Sequence, residues 1–111
     1  MNDTEIEAEI KAKRLTAPRI TPADIEANIV HTDVVTCTTH GRQVLRWAVL
    51  TTRSGFAVTG KPSCSVSPEN DDAEIGQRIA IENARSELWA LMGYELKCRL
   101  SALENIRKHQ A

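Results

Sequence analysis

A change in hydrophobic period divides the 111-residue chain into a β-prone part and a helical part. Val30–Thr39 and Gln43–Thr52 are rich in Val and Thr, and His40-Gly41 between them is a turn signal, so these segments predict a β-hairpin. Phe56–Thr59 predicts a third strand, and residues 61–68 predict a loop with a short fourth strand. The β-prone part therefore predicts a three- or four-stranded antiparallel meander.

The helical part begins where acidic residues collect after Pro68, since acids stabilise the N-terminus of a helix. A long helix is predicted from about Asp71 to Met92, and Gly93 is expected to end it in a left-handed conformation. Tyr94–Lys108 then predicts a C-terminal helix, with leucines at helical spacing. The predicted fold class is α+β, with the small antiparallel sheet packed by the long helix and the C-terminal helix.

Two further segments precede the sheet. Residues 1–20 are interpreted as a flexible or helical arm, because Glu5–Arg14 alternates in charge with a thin apolar stripe and Pro18 would end such a helix. Thr21-Pro22-Ala23-Asp24 has the features of a helix start and predicts a helix over residues 22–29. Residues 21–111 are predicted to form a single α+β domain, since the chain suits the size of one core.

Charge and composition exclude several classes of partner. Fifteen acidic residues against fourteen Lys and Arg give a net charge of −1, which makes nucleic acid an unlikely partner and offers no attraction to an anionic membrane. The acidic N-terminus is not a signal peptide, and no run of about 20 apolar residues occurs, so a cytoplasmic protein is expected. Cys37, Cys64 and Cys98 are predicted to be reduced, mostly buried thiols, and the four aromatic residues are expected in the core.

The motifs give no sign of catalysis, metal or cofactor. Cys37 and His40 have the spacing of half a zinc site, but no second ligand pair follows them. No nucleophile elbow, zinc-protease motif or phosphate-binding glycine loop is present, and the histidines have no local partner. The chain is therefore predicted to be a binding protein rather than an enzyme, with no cofactor.

The long helix carries the most informative pattern. Glu74, Arg78, Glu82 and Arg85 project along one polar stripe, facing water or a ligand. The apolar residues form two arcs, one of Ala73, Ala80, Ala84, Leu88 and Leu91 and another of Ile75, Ile79 and Ala90. One arc should meet the sheet, and the other a second subunit or the C-terminal helix, so a homo-oligomer is expected. A glycine inside a helix costs about 1 kcal/mol, so Gly76 predicts a close approach to its backbone.

An ordered set of short motifs resembles one small phage protein family. The set comprises Thr21-Pro22, Gly55–Gly60, Ser63–Val66, Pro68–Asn70, Ala73–Gly76, Ile79-Ala80, Glu82–Ala84, Leu88-Trp89 and Gly93-Tyr94. It is typical of the tailed-phage gene-product forty-nine/sixty-six family, carried by phages and prophages. The resemblance implies phage origin and an accessory role. Asp71 departs from the family pattern, which has an aromatic after the asparagine, and Met92 stands where an acid is common.

The order of a small sheet followed by helices is also similar to that of Thoeris anti-defence sponges. Those phage proteins form oligomers that hold cyclic ADP-ribose-type signals and related cyclic nucleotides without cleaving them. This likeness implies a counter-defence role, with a cyclic nucleotide signal as ligand. Guanidinium forks suit phosphates, and an amide or aromatic suits a base, so the predicted ligand-binding residues are Arg78, Arg85, Asn70, Asn83 and Phe56.

Ordinary structural roles exist for each of these residues. The arginines can be ion-pair partners of Glu74 and Glu82, Asn70 a helix cap and Phe56 a core residue. The alternative function is a protein-interaction module that inhibits a host factor, with the acidic turn at residues 69–74 as its contact surface.

Overall fold

The structure, a computed structural model, describes residues 2–110. It confirms the predicted α+β class, since a four-stranded antiparallel sheet packs against helices. The helices are α1 (Asp3–Ala12), α2 (Pro22–Asn28) and α3 (Ala73–Gln110), and the strands are β1 (Ile29–Thr38), β2 (Val44–Thr52), β3 (Ala57–Thr59) and β4 (Ser63–Cys64). A 3-10 turn, Pro68–Asn70, joins the sheet to α3.

β2 is the central strand of the sheet. β1 pairs antiparallel with it from Ile29 to Thr38, with a register shift at Val30 and with Val35 opposite Trp47. The other edge of β2 is shared, because β3 pairs with Val49–Thr51 and β4 pairs with Leu45 and Arg46. The sheet is therefore three strands wide.

The two faces of the sheet differ in burial. Arg46, Ala48, Leu50 and Thr52 point to the face that packs against α3 and are buried. The intervening residues of β2 point to the opposite face, which we call the open face, and remain half-buried. The sheet thus has one covered face and one partly exposed face.

The core lies between the covered face and the first half of α3. Ala80, Ala84 and Leu88 of α3 meet Leu50 and Ile25, and all five are buried. The two alanines let the helix axis approach the sheet closely, and a Cβ atom on Gly60 would collide with the backbone carbonyl of Asn83. α2 supplies Ile25 from a helix that begins with the predicted capping box between Thr21 and Asp24.

The predicted break at Gly93 is wrong, because α3 is one helix of 38 residues. Among the glycines of the described chain, only Gly55, in the β2–β3 turn, has a positive φ. The residues on both sides of Gly93, mainly Leu, Met, Glu and Lys, are strong helix formers and outweigh the cost of about 1 kcal/mol that one interior glycine brings. The helix is about 57 Å long at 1.5 Å per residue, and the molecule extends over 65 Å along its longest axis.

Two predictions about burial are also wrong. Cys37, Cys64 and Cys98 are free but exposed, because the two strand cysteines lie on the open face and Cys98 lies on the second half of α3. Phe56 and Tyr94 were expected in the core, yet 60% of Phe56 and 74% of Tyr94 is exposed. None of the helices in the described part of the chain combines the length and the apolar character that crossing a bilayer requires.

Candidate functional site

The predicted ligand-binding residues lie in different surroundings. Arg78 is on the solvent side of α3, 73% exposed, with its Nη2 3.7 Å from a carboxylate oxygen of Glu74. Phe56 stands on the turn between β2 and β3. Asn83 donates a hydrogen bond of 3.0 Å to the carbonyl of Lys61, and Asn70 belongs to the 3-10 turn before α3. These side chains therefore do not form one cluster.

Arg85 is half-buried, with 14% of its side chain exposed. Its guanidinium lies 2.7 Å from Glu26 of α2, 3.0 Å from Glu82 and 4.0 Å from Asp3 of α1. Three carboxylates thus surround one cation. The arrangement connects both short helices to α3 through the two terminal nitrogens of the guanidinium, whereas its buried Nε has no partner in the described chain.

A cavity of about 420 Å³ lies between the arm, α2 and α3. Its apolar lining comes from Ile20 of the arm and from Met92 and Leu96 of α3. Its polar lining includes three arginines, Arg19, Arg53 and Arg99, together with Asn28, Asp24 and Glu95. This volume falls within the range of small-molecule sites, which combine apolar walls with a few polar groups.

The three arginines of the cavity differ in how they are paired. Arg19 donates to both carboxylate oxygens of Glu7, which raises the pKa of Arg19 and lowers the pKa of Glu7. Arg99 pairs with Glu95 at 2.9 Å. Arg53 has no carboxylate partner within 4.0 Å among residues 2–110. Arg53 is thus the guanidinium of this cavity that is available to an anion.

Arg53 is positioned by the junction of α2 with the sheet. Its backbone N–H donates to the carbonyl of Asn28 at 3.1 Å and to the Asn28 side-chain oxygen at 3.3 Å. The chain reaches this position at the end of β2, just before the turn at Gly55. The cavity therefore offers the Asn28 side-chain amide, held in place by the Arg53 N–H, beside the free guanidinium of Arg53 and an apolar wall. These groups suit an anionic ligand with an aromatic part.

A second polar cluster lies at the N-terminal end of α3. Arg46 of β2 donates two hydrogen bonds to Asp71, with Nη1–Oδ1 2.7 Å and Nη2–Oδ2 2.9 Å. These bonds lower the pKa of the Asp71 carboxyl and raise that of the Arg46 guanidinium. A small cavity of about 70 Å³ adjoins the pair, and Ser63, whose buried hydroxyl has no partner in the described chain, lines it with Asn70.

The Arg46 side chain confirms the predicted close approach at Gly76. A Cβ atom at this position would lie 2.7 Å from Nη1 of Arg46 and 3.3 Å from the hydroxyl of Ser63. The absent side chain lets the guanidinium lie against the first turn of α3. The approaching group comes from the same chain, across the covered face of the sheet.

Sequence reasoning missed Arg46, Arg53 and the cavity that contains Arg53. The sequence did contain a signal for Arg46. It alternates with Ala48 and Leu50 along an apolar strand, so its charge points to the covered face and needs a partner there. Asp71 was noted as a departure from the family pattern, and it is that partner. The Arg53 cavity had no local signal, since its walls come from the arm, α2, the end of β2 and α3.

Comparison with known proteins places the chain in one family. No curated protein and no solved structure matches it significantly. A family model matches residues 20–100, which span α2, the sheet and most of α3. The chain belongs to the Phage protein (N4 Gp49/phage Sf6 gene 66) family.

Proposed function

We propose that this phage accessory protein is a non-enzymatic sponge that binds and sequesters a cyclic nucleotide signal as a counter-defence factor in the host cytoplasm. The observation that carries the proposal is the cavity of about 420 Å³ with the unpaired guanidinium of Arg53 on its wall. A nucleotide needs a cation for its phosphates and an apolar or stacking surface for its base. The cavity offers both within one space.

The charges of the cavity favour an anion. Three arginines and two carboxylates line it, so the fixed charges of the lining sum to +1. Arg19 and Arg99 have carboxylate partners, and Arg53 has none among residues 2–110, so the uncompensated positive charge of the lining is that of Arg53. Its rigid fork suits bidentate contact with phosphate oxygens.

The test is titration of cyclic ADP-ribose isomers and cyclic oligonucleotides against the wild type, Arg53→Ala and Arg78→Ala. Loss of a charge-assisted contact costs roughly 1.5 to 3 kcal/mol, so Arg53→Ala should weaken binding about ten- to a hundredfold. Arg78→Ala is the matched control, because Arg78 is an exposed arginine on the solvent side of α3. Melting curves establish that both variants are folded.

The outcomes separate the candidate sites. Equal binding by the wild type and Arg53→Ala would exclude this cavity, and weaker binding by Arg78→Ala alone would assign the ligand to the predicted stripe on α3. Mass spectrometry of the denatured complex should recover the nucleotide intact. Recovery of a cleaved product would contradict the non-enzymatic role, and failure of every nucleotide to bind would contradict the sponge.

A protein-interaction module is the second candidate function, and the second half of α3 supports it. Leu103 and Ile106 are each 52% exposed on a helix that extends past the sheet. Exposed apolar side chains on a projecting helix are typical of helix-in-groove recognition. The acidic turn at residues 69–74, the predicted contact surface, has fewer free carboxylates for a partner, because Asp71 is bound by Arg46.

The second candidate predicts that host proteins captured by the wild type are lost with Leu103→Lys. Glu104→Lys is the matched control, since it adds positive charge at the neighbouring exposed position without removing an apolar side chain. Equal capture by the wild type and both variants would exclude this helix surface as the contact.

A further inference from the structure

β2 has the composition of a strand that is covered on both faces. Its residues Val44–Leu50 are apolar except Arg46, so large apolar side chains point to both sides of the sheet. Near-continuous apolar runs are typical of strands buried on both faces, whereas a strand with one solvated face alternates with polar residues. α3 packs against one face, while Leu45, Trp47 and Val49 remain half-buried on the open face.

The neighbouring strands extend this apolar surface. Residues directly opposite one another in antiparallel strands share a face, and the register therefore places Val35 and Cys37 of β1 and Cys64 of β4 beside Trp47 and Leu45. Half of Val35 is exposed. The centre of the open face is thus an apolar patch with a thiol on either side of Leu45.

We propose that the open face is the interface of a homodimer, in which two copies stack sheet against sheet. The face carries no Lys, Arg or Glu, and its one acid, Asp33, lies 3.0 Å from His31 of the same strand. A face with one acidic side chain at its edge can meet its own copy with little like-charge repulsion. A two-fold axis between the sheets then makes the same patch serve both subunits, as in the sandwich packing of two sheets.

The dimensions of the face indicate a modest affinity. A nine-residue strand spans about 30 Å and three strands side by side are roughly 14 Å wide, so the footprint is at most about 400 Å² per copy. At about 800 Å² in total the contact is smaller than a standard stable interface, so we expect a weak dimer that dissociates in the micromolar range. The interface lies across the sheet from α3, so it is independent of the proposed nucleotide cavity.

The first test measures the mass of the full chain by sedimentation and light scattering. The wild type should approach twice the 12.3 kDa chain mass at high micromolar concentration. Val35→Lys and Ala57→Lys place a charge on the open face and should give the single-chain mass. Thr38→Lys is the matched control, because Thr38 is exposed on β1 but points to the side of the sheet opposite the open face. This variant should stay dimeric.

The second test uses the native thiols. Cys37 and Cys64 lie on the open face, whereas Cys98 lies on the second half of α3. In the dimer, Cys37 and Cys64 should react with maleimide about tenfold more slowly than Cys98, since they become accessible through dissociation. Dilution or Val35→Lys should remove the difference. A single-chain mass at high micromolar concentration, or a dimer whose three thiols react equally, would overturn the proposal.

Discussion

Arg46 and Asp71, 25 positions apart, form a bidentate ion pair that connects the central strand to the N-terminal end of α3. The side chains are 9% and 18% exposed, so both charges are largely removed from water. The Arg46 guanidinium also lies where a Cβ atom of residue 76 would be. One side chain therefore determines both the partner of Asp71 and the need for glycine at position 76.

Removal of the Asp71 carboxylate should destabilise the fold strongly. Asp71→Ala leaves the guanidinium of Arg46 largely buried without a counter-charge, and such a loss costs about 3 kcal/mol. Urea denaturation measures the change. Glu69→Ala is the matched control, because Glu69 is an exposed acid two positions away, and it should change the free energy of unfolding by less than about 0.5 kcal/mol.

The double variant Arg46→Met, Asp71→Ala should recover part of the stability lost in Asp71→Ala. It removes the uncompensated charge and keeps an unbranched apolar side chain against Gly76. A double variant less stable than Asp71→Ala would mean that the aliphatic stem of Arg46, and not its ion pair with Asp71, stabilises the fold.

The stability difference between the wild type and Asp71→Ala should depend on pH. The hydrogen bonds from Arg46 hold the pKa of Asp71 below its ordinary value of 3.8 in the folded protein. The carboxylate therefore contributes its full stabilisation above the unfolded-state pKa and loses it as the pH falls through the folded-state pKa. The difference should be constant from neutral pH down to about pH 5 and shrink below the ordinary value. A pH-independent difference would contradict the pKa shift.

Two glycines should respond in opposite ways to alanine. A Cβ atom at Gly60 meets the backbone of Asn83 and Ala84, which cannot move without shifting α3, so Gly60→Ala should cost about 1 to 3 kcal/mol. A Cβ atom at Gly93 has no neighbour within 4 Å, so Gly93→Ala should gain up to about 1 kcal/mol of helix stability. Thermal melting compares the two, and a destabilised Gly93→Ala would indicate an unseen contact on α3.

The two arginines of the predicted stripe should differ in their effect on stability. Arg85 joins α1 and α2 to α3 through Asp3, Glu26 and Glu82, so Arg85→Ala should lower the melting temperature measurably. Arg78 is exposed and has one distant partner, Glu74, so Arg78→Ala should leave the melting temperature unchanged. Equal effects of the two substitutions would mean that the three-carboxylate cluster adds nothing to the packing of the short helices.

Local sequence signals were sufficient for most of the fold. The hairpin, the turn at residues 53–55, the capping box at Thr21 and the α+β class all depend on neighbouring residues and are present. The extent of α3 could not be predicted in this way, since a glycine ends a helix when the chain after it turns away, and here the following residues continue the helix. Exposure of Cys37 and Cys64 depends on which face of the sheet stays open, which is a tertiary property.

The candidate site was far less predictable. Projection of α3 placed Arg78 and Arg85 on one stripe, but α2 and α1 supply carboxylates to Arg85 alone. Arg53 gave no pattern of its own, because its cavity arises where distant segments meet. By contrast, Gly76 was identified correctly, since a helix-interior glycine carries a local cost that requires a local reason.

The continuity of α3 has a consequence for how the protein opens locally. Its fully buried residues, Gly76, Ala80, Ala84 and Leu88, all lie in its first half, so tertiary packing protects that half most. The second half is an amphipathic helix anchored at one end, and helical propensity by itself sustains such a segment only marginally. Amide hydrogen exchange should therefore follow a gradient along a single helix, fastest near Gln110 and slowest around Ala84, with fraying that proceeds inward until the sheet stops it.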